Sequence, residues 1–182
     1  MTASAVYGTQ LTLHNANPVV KDSRSTDNYL RSAVGGIAAA TTSIDEAGDI
    51  IHLVELPTNT TIRAIRILAD DLDTHSTPAL AYDVGLYYGG NSSVQTKTLG
   101  KTRGTVLDAD AFASAITTGQ SAAVDPVGIA WEARNIDTYK KPLWEHGALS
   151  YDPGGTFLIS LTITTAAATA AAGDIVLEVV YV

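Results

Sequence analysis

The sequence contains no cysteine, and this absence removes several kinds of chemistry at once. Disulfide bonds, zinc sites with thiolate ligands and catalysis by a thiol nucleophile all need that residue. The chain also lacks any apolar run close to the roughly 20 residues that a membrane-spanning helix requires. Its first ten residues, MTASAVYGTQ, have neither the basic start nor the apolar stretch of a secretory signal. We therefore predict no membrane partner, and synthesis and folding in a cytoplasm.

Positive charge is scarce. The chain has 11 lysines and arginines against 19 aspartates and glutamates, giving a net charge of −8 and a pI of about 4.7. The nearest approaches to a basic patch are Lys140-Lys141 and the spaced Lys97, Lys101 and Arg103. A protein that binds DNA or RNA needs a basic face, because its affinity comes largely from displacing counterions from phosphates. We therefore expect no nucleic-acid partner, and an acidic surface suited to docking on a basic partner.

Motifs for catalysis and for metal binding are also missing. The four histidines, His14, His52, His75 and His146, show none of the short spacings of metal sites. No serine lies in a G-x-S-x-G turn, and no glycine-rich phosphate loop follows a strand. We predict that the protein is not an enzyme and has no catalytic residues, no cofactor and no metal site. His52 is expected to be a satisfied core or interface residue.

One stretch does invite a chemical interpretation. Residues 66–80, RILADDLDTHSTPAL, contain Asp70, Asp71, Asp73 and His75. A calcium loop alternates oxygen ligands and then needs a glycine and, roughly 12 residues in, a glutamate. Here His75 interrupts the series and neither later residue arrives. We expect a polar loop whose acids satisfy free backbone N–H groups and keep the protein soluble. A weak surface cation site remains the alternative, and catalysis is not expected.

Alternating apolar and polar residues predict β-strands through most of the chain. The clearest run is 79–89, ALAYDVGLYYG, which keeps a period of two throughout. A bulge is expected near Arg63-Ala64, where the alternation changes phase. The Gly-Gly pairs at 35–36 and 89–90 are predicted to be turns. The other predicted strands cover residues 49–56, 61–69, 156–164 and 174–182.

Residues 107–118, LDADAFASAITT, are predicted to form the single short helix. Asp108 or Asp110 would cap its first turn, since acids there satisfy free N–H groups and the helix dipole. Phe112, Ala115 and Ile116 would then face the core.

The domain organisation follows from these patterns. Residues 1–32 are polar and aperiodic, which predicts an extended N-terminal arm with Gln10–Leu13 and Val19–Val20 as short strand candidates. Residues 33–182 are predicted to form one domain. Its fold class is all-β, an antiparallel jelly-roll-like β-sandwich with one short helix.

Aromatic residues cluster late in the chain. Trp131, Trp144, Tyr139 and Tyr151 lie within WEARNIDTYKKPLWEHGALSYDPGG. Exposed aromatic rings stack on sugars or anchor an interface. The simpler interpretation is that the two tryptophans close the open end of the sandwich beneath a loop.

The C-terminal part of the chain resembles the end of a group of structural proteins from tailed-phage virions. Residues 141–182, KPLWEHGALSYDPGGTFLISLTITTAAATAAAGDIVLEVVYV, show a PLWE..G turn, DPGG, a strand, an Ala/Thr-rich connector ending in glycine and a final strand. ELPTNTTIRAIRILADDLDT (55–74), YDVGLYYG (82–89) and DADAFASAIT (108–117) are similar to earlier blocks of the same group. The resemblance covers roughly half of the chain.

This resemblance implies a β-sandwich subunit of the phage particle. The most similar members are capsid decoration (cement) proteins, which bind and stabilise the capsid exterior and are often trimers. It implies the major capsid protein as partner, a homo-oligomer with a trimer favoured, and a place on the capsid surface after assembly in the host cytoplasm. The alternative is a tail- or fibre-associated β-sandwich binding module that recognises a glycan or a protein.

Overall fold

The computed structural model describes residues 30–121, 127–129 and 139–182. These residues form eight strands and three short helical turns. The turns are a 3₁₀ turn (Thr41–Ser43), a π-helical turn (Val94–Thr98) and the helix α1 (Leu143–His146). The strands are β1 (Arg31–Ala39), β2 (Ile50–Pro57), β3 (Ile62–Ala69), β4 (Ala81–Tyr88), β5 (Val106–Ile116), β6 (Val127–Gly128), β7 (Thr156–Thr165) and β8 (Gly173–Tyr181).

The strands form two antiparallel four-stranded sheets. The first sheet has the order β1-β8-β3-β6 and the second has the order β2-β7-β4-β5. Eight strands that alternate between two facing sheets in this way make a jelly roll. The predicted all-β, antiparallel, jelly-roll-like sandwich is therefore confirmed. No helix in the described ranges has the length and hydropathy to cross a bilayer.

The core lies between the sheets because apolar and polar side chains alternate along the strands, which places the apolar ones on the inner face. In β8, Ile175, Leu177 and Val179 are buried, while Asp174 and Glu178 point to the other side. Each buried aliphatic side chain of this size contributes about 1.5–3 kcal/mol. The predicted bulge in β3 is confirmed by a shift in register between Ile62 and Ala64. The largest side chains of the core are aromatic, namely Tyr82, Tyr88, Phe112 and Phe157.

The sandwich has two ends, which are named here by a residue at each. The Asp73 end contains the loops 40–49, 70–80, 117–121 and 166–172. The Thr58 end contains the turn 58–61, the loop 89–105 and the segment 142–155. Helix α1 lies at the Thr58 end, because the N–H of Leu143 donates to the carbonyl of Thr60.

The predicted helix over 107–118 is wrong. Those residues form the edge strand β5, whose register against β4 shifts at three places. At one of them the backbone of β5 passes so close to Gly85 that a Cβ there would lie 2.2 Å from the carbonyl oxygens of Asp108 and Ala109. The inserted residues break the period of two, so the four-residue spacing of Phe112 and Ile116 imitates a helix.

Strand β1 was not predicted, and the expected turn at Gly35-Gly36 lies inside it. Residues 1–29 of the predicted arm lie outside the described residues, whereas Arg31 and Ser32 already pair with β8.

Candidate functional site

The acidic stretch forms a tight hydrogen-bonding centre at the Asp73 end. Asp73 is 1% exposed, and both of its carboxylate oxygens accept hydrogen bonds from backbone N–H groups. The donors are Ala79 (2.7 Å), Leu80 (3.0 Å), Ala168 (2.9 Å), Thr169 (2.9 Å) and His75 (3.4 Å). One side chain therefore joins the loop that leads into β4 to the loop that leads into β8.

These contacts determine the charge state of Asp73. Burial alone would raise its pKa, because a carboxylate loses its hydration. The hydrogen bonds from Thr169, Ala79, Ala168 and Leu80 outweigh burial and hold the pKa of Asp73 well below its usual range. The group is thus an anion held by backbone dipoles, and its acceptor capacity is already occupied by this protein.

The other acids of the stretch differ from Asp73. Asp70 is exposed, and its Oδ2 accepts a hydrogen bond of 2.7 Å from the N–H of Asp174 at the start of β8. Asp71 is exposed, and His75 turns its Nδ1 towards the backbone of Thr77. In the described part of the chain, no three His, Asp or Glu side chains meet in a way that could hold a metal ion.

The prediction for this stretch is therefore right in kind and wrong in one detail. Asp70 and Asp73 do satisfy backbone N–H groups after β3, as expected. Asp73, however, is buried and joins two loops, so it does not contribute to a solvated surface.

A second polar centre lies at the Thr58 end around Gln95. The π-helical turn points this side chain inward, where it is fully buried. Its Oε1 accepts from the N–H of Gly90 (2.9 Å), and its Nε2 donates to the carbonyls of Gly154 (2.7 Å) and Thr156 (3.2 Å). Gln95 thereby joins the loop 89–105 to the start of β7.

Replacing Gln95 by leucine is expected to lower the free energy of unfolding by about 2 kcal/mol. Leucine has a similar size but removes the partner of the Gly90 N–H and of the Gly154 carbonyl, while the Thr156 carbonyl still accepts from the N–H of Gly89. Urea unfolding followed by circular dichroism measures the loss. Lys97→Leu, two residues further in the same turn at an exposed position, is the control and should change stability by under about 0.5 kcal/mol. Equal effects of the two substitutions would contradict this role of Gln95.

An ion pair accompanies this centre on the outer face of the second sheet. Arg103 Nη2 lies 2.7 Å from Glu55 Oε2, while Glu55 Oε1 accepts from Asn91 and Thr156. The hydrogen bond from Arg103 is the main cause that lowers the pKa of Glu55. These contacts hold the loop 89–105 against β2 and β7.

His52 and Ser160 come together on the same face. Nδ1 of His52 and Oγ of Ser160 share a hydrogen bond of 2.6 Å, and the ring of Tyr87 packs edge-on against the imidazole at 5.5 Å. Burial, with the positive charge of Arg103, lowers the pKa of His52. A serine beside a histidine is the start of a nucleophile–base pair. Ser160 is completely buried, so no substrate reaches its hydroxyl in this conformation.

The remaining acidic pair, Asp108 and Asp110, lies on β5 and caps no helix. Burial, followed by the hydrogen bond and the charge of Asp110, raises the pKa of Asp108. The pair forms part of the distorted edge described above.

The aromatic residues do not form a common platform in the described part of the chain. Trp144 is half-buried against the core, and its backbone N–H donates to the carbonyl of Thr58. Tyr139 packs under the guanidinium of Arg63 at 4.9 Å. Tyr151 is 46% exposed, and Trp131 lies outside the described residues. Trp144 thus closes an end of the sandwich, as the simpler interpretation expected.

The outer face of the first sheet differs from that of the second. Val34 is 67% exposed there, and half-buried Leu68, Val176 and Val180 share its side of the sheet. Glu178 accepts from Arg66 at 3.0 Å and from Ser32 at 3.1 Å in the middle of this apolar surface. Faces of antiparallel sheets that meet water are usually polar. This face therefore has the composition of a contact surface.

Sequence reasoning missed Gln95, Ser160 and the special position of Asp73. Each acts through a partner that is distant in the chain, and no short spacing signals such a pair.

No family model and no curated protein sequence matches the chain. Two solved structures do match in fold. A chain in the capsid of Ralstonia phage GP4 aligns with a TM-score of 0.57 and 22% identity, over 87% of this chain and 86% of that chain. A chain in the capsid asymmetric unit of cyanophage Pam1 aligns with a TM-score of 0.56 and 18% identity, over 89% and 90%. At these identities the comparison establishes a shared fold.

Proposed function

We propose that this chain is a structural virion protein of a tailed phage, a decoration or cement subunit that binds and stabilises the capsid exterior. The observation that carries the proposal is the fold of the two sheets, which aligns over 87% and 89% of this chain with chains from two phage capsids. The blocks of sequence that resemble tailed-phage virion proteins are a separate line of support. They fall on β3, β4, β5, α1, β7 and β8.

The buried polar side chains of the sandwich support a structural role without catalysis. Asp73, Gln95 and Ser160 are buried, and each holds backbone or side-chain groups of its own chain. These contacts stiffen both ends of the sandwich, which suits a subunit that must keep its shape on a particle. The proposal includes no catalytic residue, no cofactor and no metal.

The proposed partners are the major capsid protein and further copies of this chain, with a trimer favoured. The proposal includes no contact with nucleic acid or membrane, and places the subunit on the capsid surface after assembly in the host cytoplasm. A net charge of −8 favours a basic docking site on the shell. Binding to the shell should therefore weaken as salt is raised from low ionic strength.

The composition and surface of the virion test the proposal. Purified particles of the encoding phage should contain the protein in many copies by mass spectrometry. Antibodies against it should label the head by immunogold microscopy. Label confined to the tail would favour the tail or fibre module instead, and absence from the particles would exclude both.

Removing the arm is expected to separate folding from assembly. Deletion of residues 1–29 leaves every described strand intact, so the sandwich should keep its circular dichroism spectrum. Assembly into oligomers or attachment to capsids should weaken, because an arm reaches across a neighbouring surface. Light scattering and capsid sedimentation measure this. An insoluble truncated protein would show that the segment belongs to the core.

A further inference from the structure

The two sheets have four edge strands, and three of them are protected. β6 has two residues in the described part of the chain, β5 is distorted by shifts in register, and β2 carries a bulge after His52 and ends at Pro57. Short length, bulges and proline are the usual means by which natural proteins prevent further strands from pairing with a sheet edge.

Strand β1 has none of these protections. It pairs with β8 over nine residues without a shift in register, and it carries no charge after Arg31. In the described ranges no strand pairs with its other edge. Six of its nine residues are exposed, among them Val34 at 67%, and Leu30 just before the strand is 68% exposed. A flat, uncharged edge of this length is a template for one more strand.

We infer that the free edge of β1 is completed by the segment around Gln10–Leu13 from the N-terminal arm of a second copy of this chain. This inference rests on the proposed homo-oligomer, and it identifies the contact that joins one copy to the next. Along the segment from Thr9 to His14, Leu11 and Leu13 lie on one side of an extended chain, and the polar residues Gln10, Thr12 and His14 lie on the other. Gln10–Leu13 carries no charge. It therefore matches the uncharged edge that it would extend.

The length of the intervening chain favours a second copy over the same one. Connections between neighbouring antiparallel strands usually have two to five residues. Residues 14–30 would make a far longer connection, with a reach of about 55–60 Å when extended. A connection of that length delivers the strand to a neighbour. When each copy donates its arm to the next copy, the contact is heterologous, and a rotation that closes after three copies gives a trimer.

Amide hydrogen exchange on the full chain tests this inference. In the oligomer, the backbone amides of β1 that point away from β8 should be protected, and Leu11→Pro should speed their exchange by about tenfold or more and weaken the oligomer. Proline at this position removes a donor and disrupts the added strand. Ser23→Pro, in the polar connector, is the matched control and should leave both readouts unchanged.

Concentration identifies the source of the strand. Dilution until the oligomer dissociates should remove the protection of the β1 amides that point away from β8, while those that pair with β8 stay protected. Protection of the outward-pointing amides that persists in the monomer would mean that each arm pairs with its own β1, and would overturn the inference. Rapid exchange of these β1 amides in an intact oligomer, or a monomer at every concentration, would also overturn it.

Capsid binding is measured separately, so an oligomer that binds capsids with this edge of β1 unprotected refutes this inference alone. Loss of capsid binding with β1 protected refutes the proposed function alone.

Discussion

Replacing Asp73 by asparagine is expected to lower the free energy of unfolding by about 3 kcal/mol or more. The substitution removes a buried negative charge that accepts hydrogen bonds from the backbone of Ala79, Leu80, Ala168 and Thr169. The new amide group would turn its own N–H donors towards some of them. Hydrogen bonds to charged groups contribute about 1.5–3 kcal/mol each in favourable cases, and unpaired buried donors add a penalty.

Urea unfolding of Asp73→Asn against Asp71→Asn measures this effect. Asp71 is exposed, and its substitution removes the same charge from the same loop, so stability should change by under about 0.5 kcal/mol. Equal losses in the two variants would show that net charge matters and that the hydrogen-bonding centre does not.

The same centre predicts sensitivity to acid. The pKa of Asp73 is lowered on folding from the ordinary value of 3.8. The unfolded chain therefore takes up this proton first as the pH falls, and the stabilisation is present above about pH 4 and lost below it. The difference in stability between the wild type and Asp73→Asn should shrink between pH 5 and about pH 3. A difference that stays constant over that range would contradict an ionised Asp73 in the folded state.

Replacing Gly35 by alanine is expected to destabilise the sandwich by about 3 kcal/mol or more, or to prevent folding. A Cβ at Gly35 would lie 1.9 Å from the carbonyl oxygen of Leu53 and 2.6 Å from its carbon. Both atoms are backbone, so β1 or β2 must move away and open the edge of the core. Overpacking of this kind is costly because close-packed interiors yield little.

Gly128→Ala is the control for this prediction. Gly128 also lies in an edge strand of the first sheet, but no atom of the described residues lies within 4 Å of a Cβ built there. Its variant should unfold within about 0.5 kcal/mol of the wild type in the same urea titration. A Gly35→Ala variant as stable as Gly128→Ala would show that β1 does not pack against β2 as described.

The strands that could be predicted are those whose alternation is regular or is broken at one place, as in β2 and β3. β4 and β8 show regular alternation because one face packs on the core and their registers are nearly regular. β5 was mistaken for a helix because bulges opposite Gly85 shift its apolar residues out of phase. β1 was missed because Gly35 is required by the backbone of Leu53, a contact between residues that no local pattern relates.

For the candidate site, roles that depend on neighbouring residues could be predicted, and partners that are distant in the chain could not. The role of the acids after β3 could be predicted in kind, because aspartate commonly satisfies free N–H groups where a strand ends. Which aspartate is buried could not, since the donors to Asp73 include Ala168 and Thr169, more than ninety residues away. The pairing of His52 with Ser160 likewise depends on the register of β2 against β7.

Sedimentation with capsid shells tests the central claim most directly. Purified protein is mixed with shells assembled from the major capsid protein of the same phage and lacking this chain. We predict that it sediments with the shells, saturates at a fixed number of copies per major capsid protein, and raises the temperature at which the shells open. A protein that stays in the supernatant at every concentration, with shells of unchanged stability, would contradict a role as a decoration subunit.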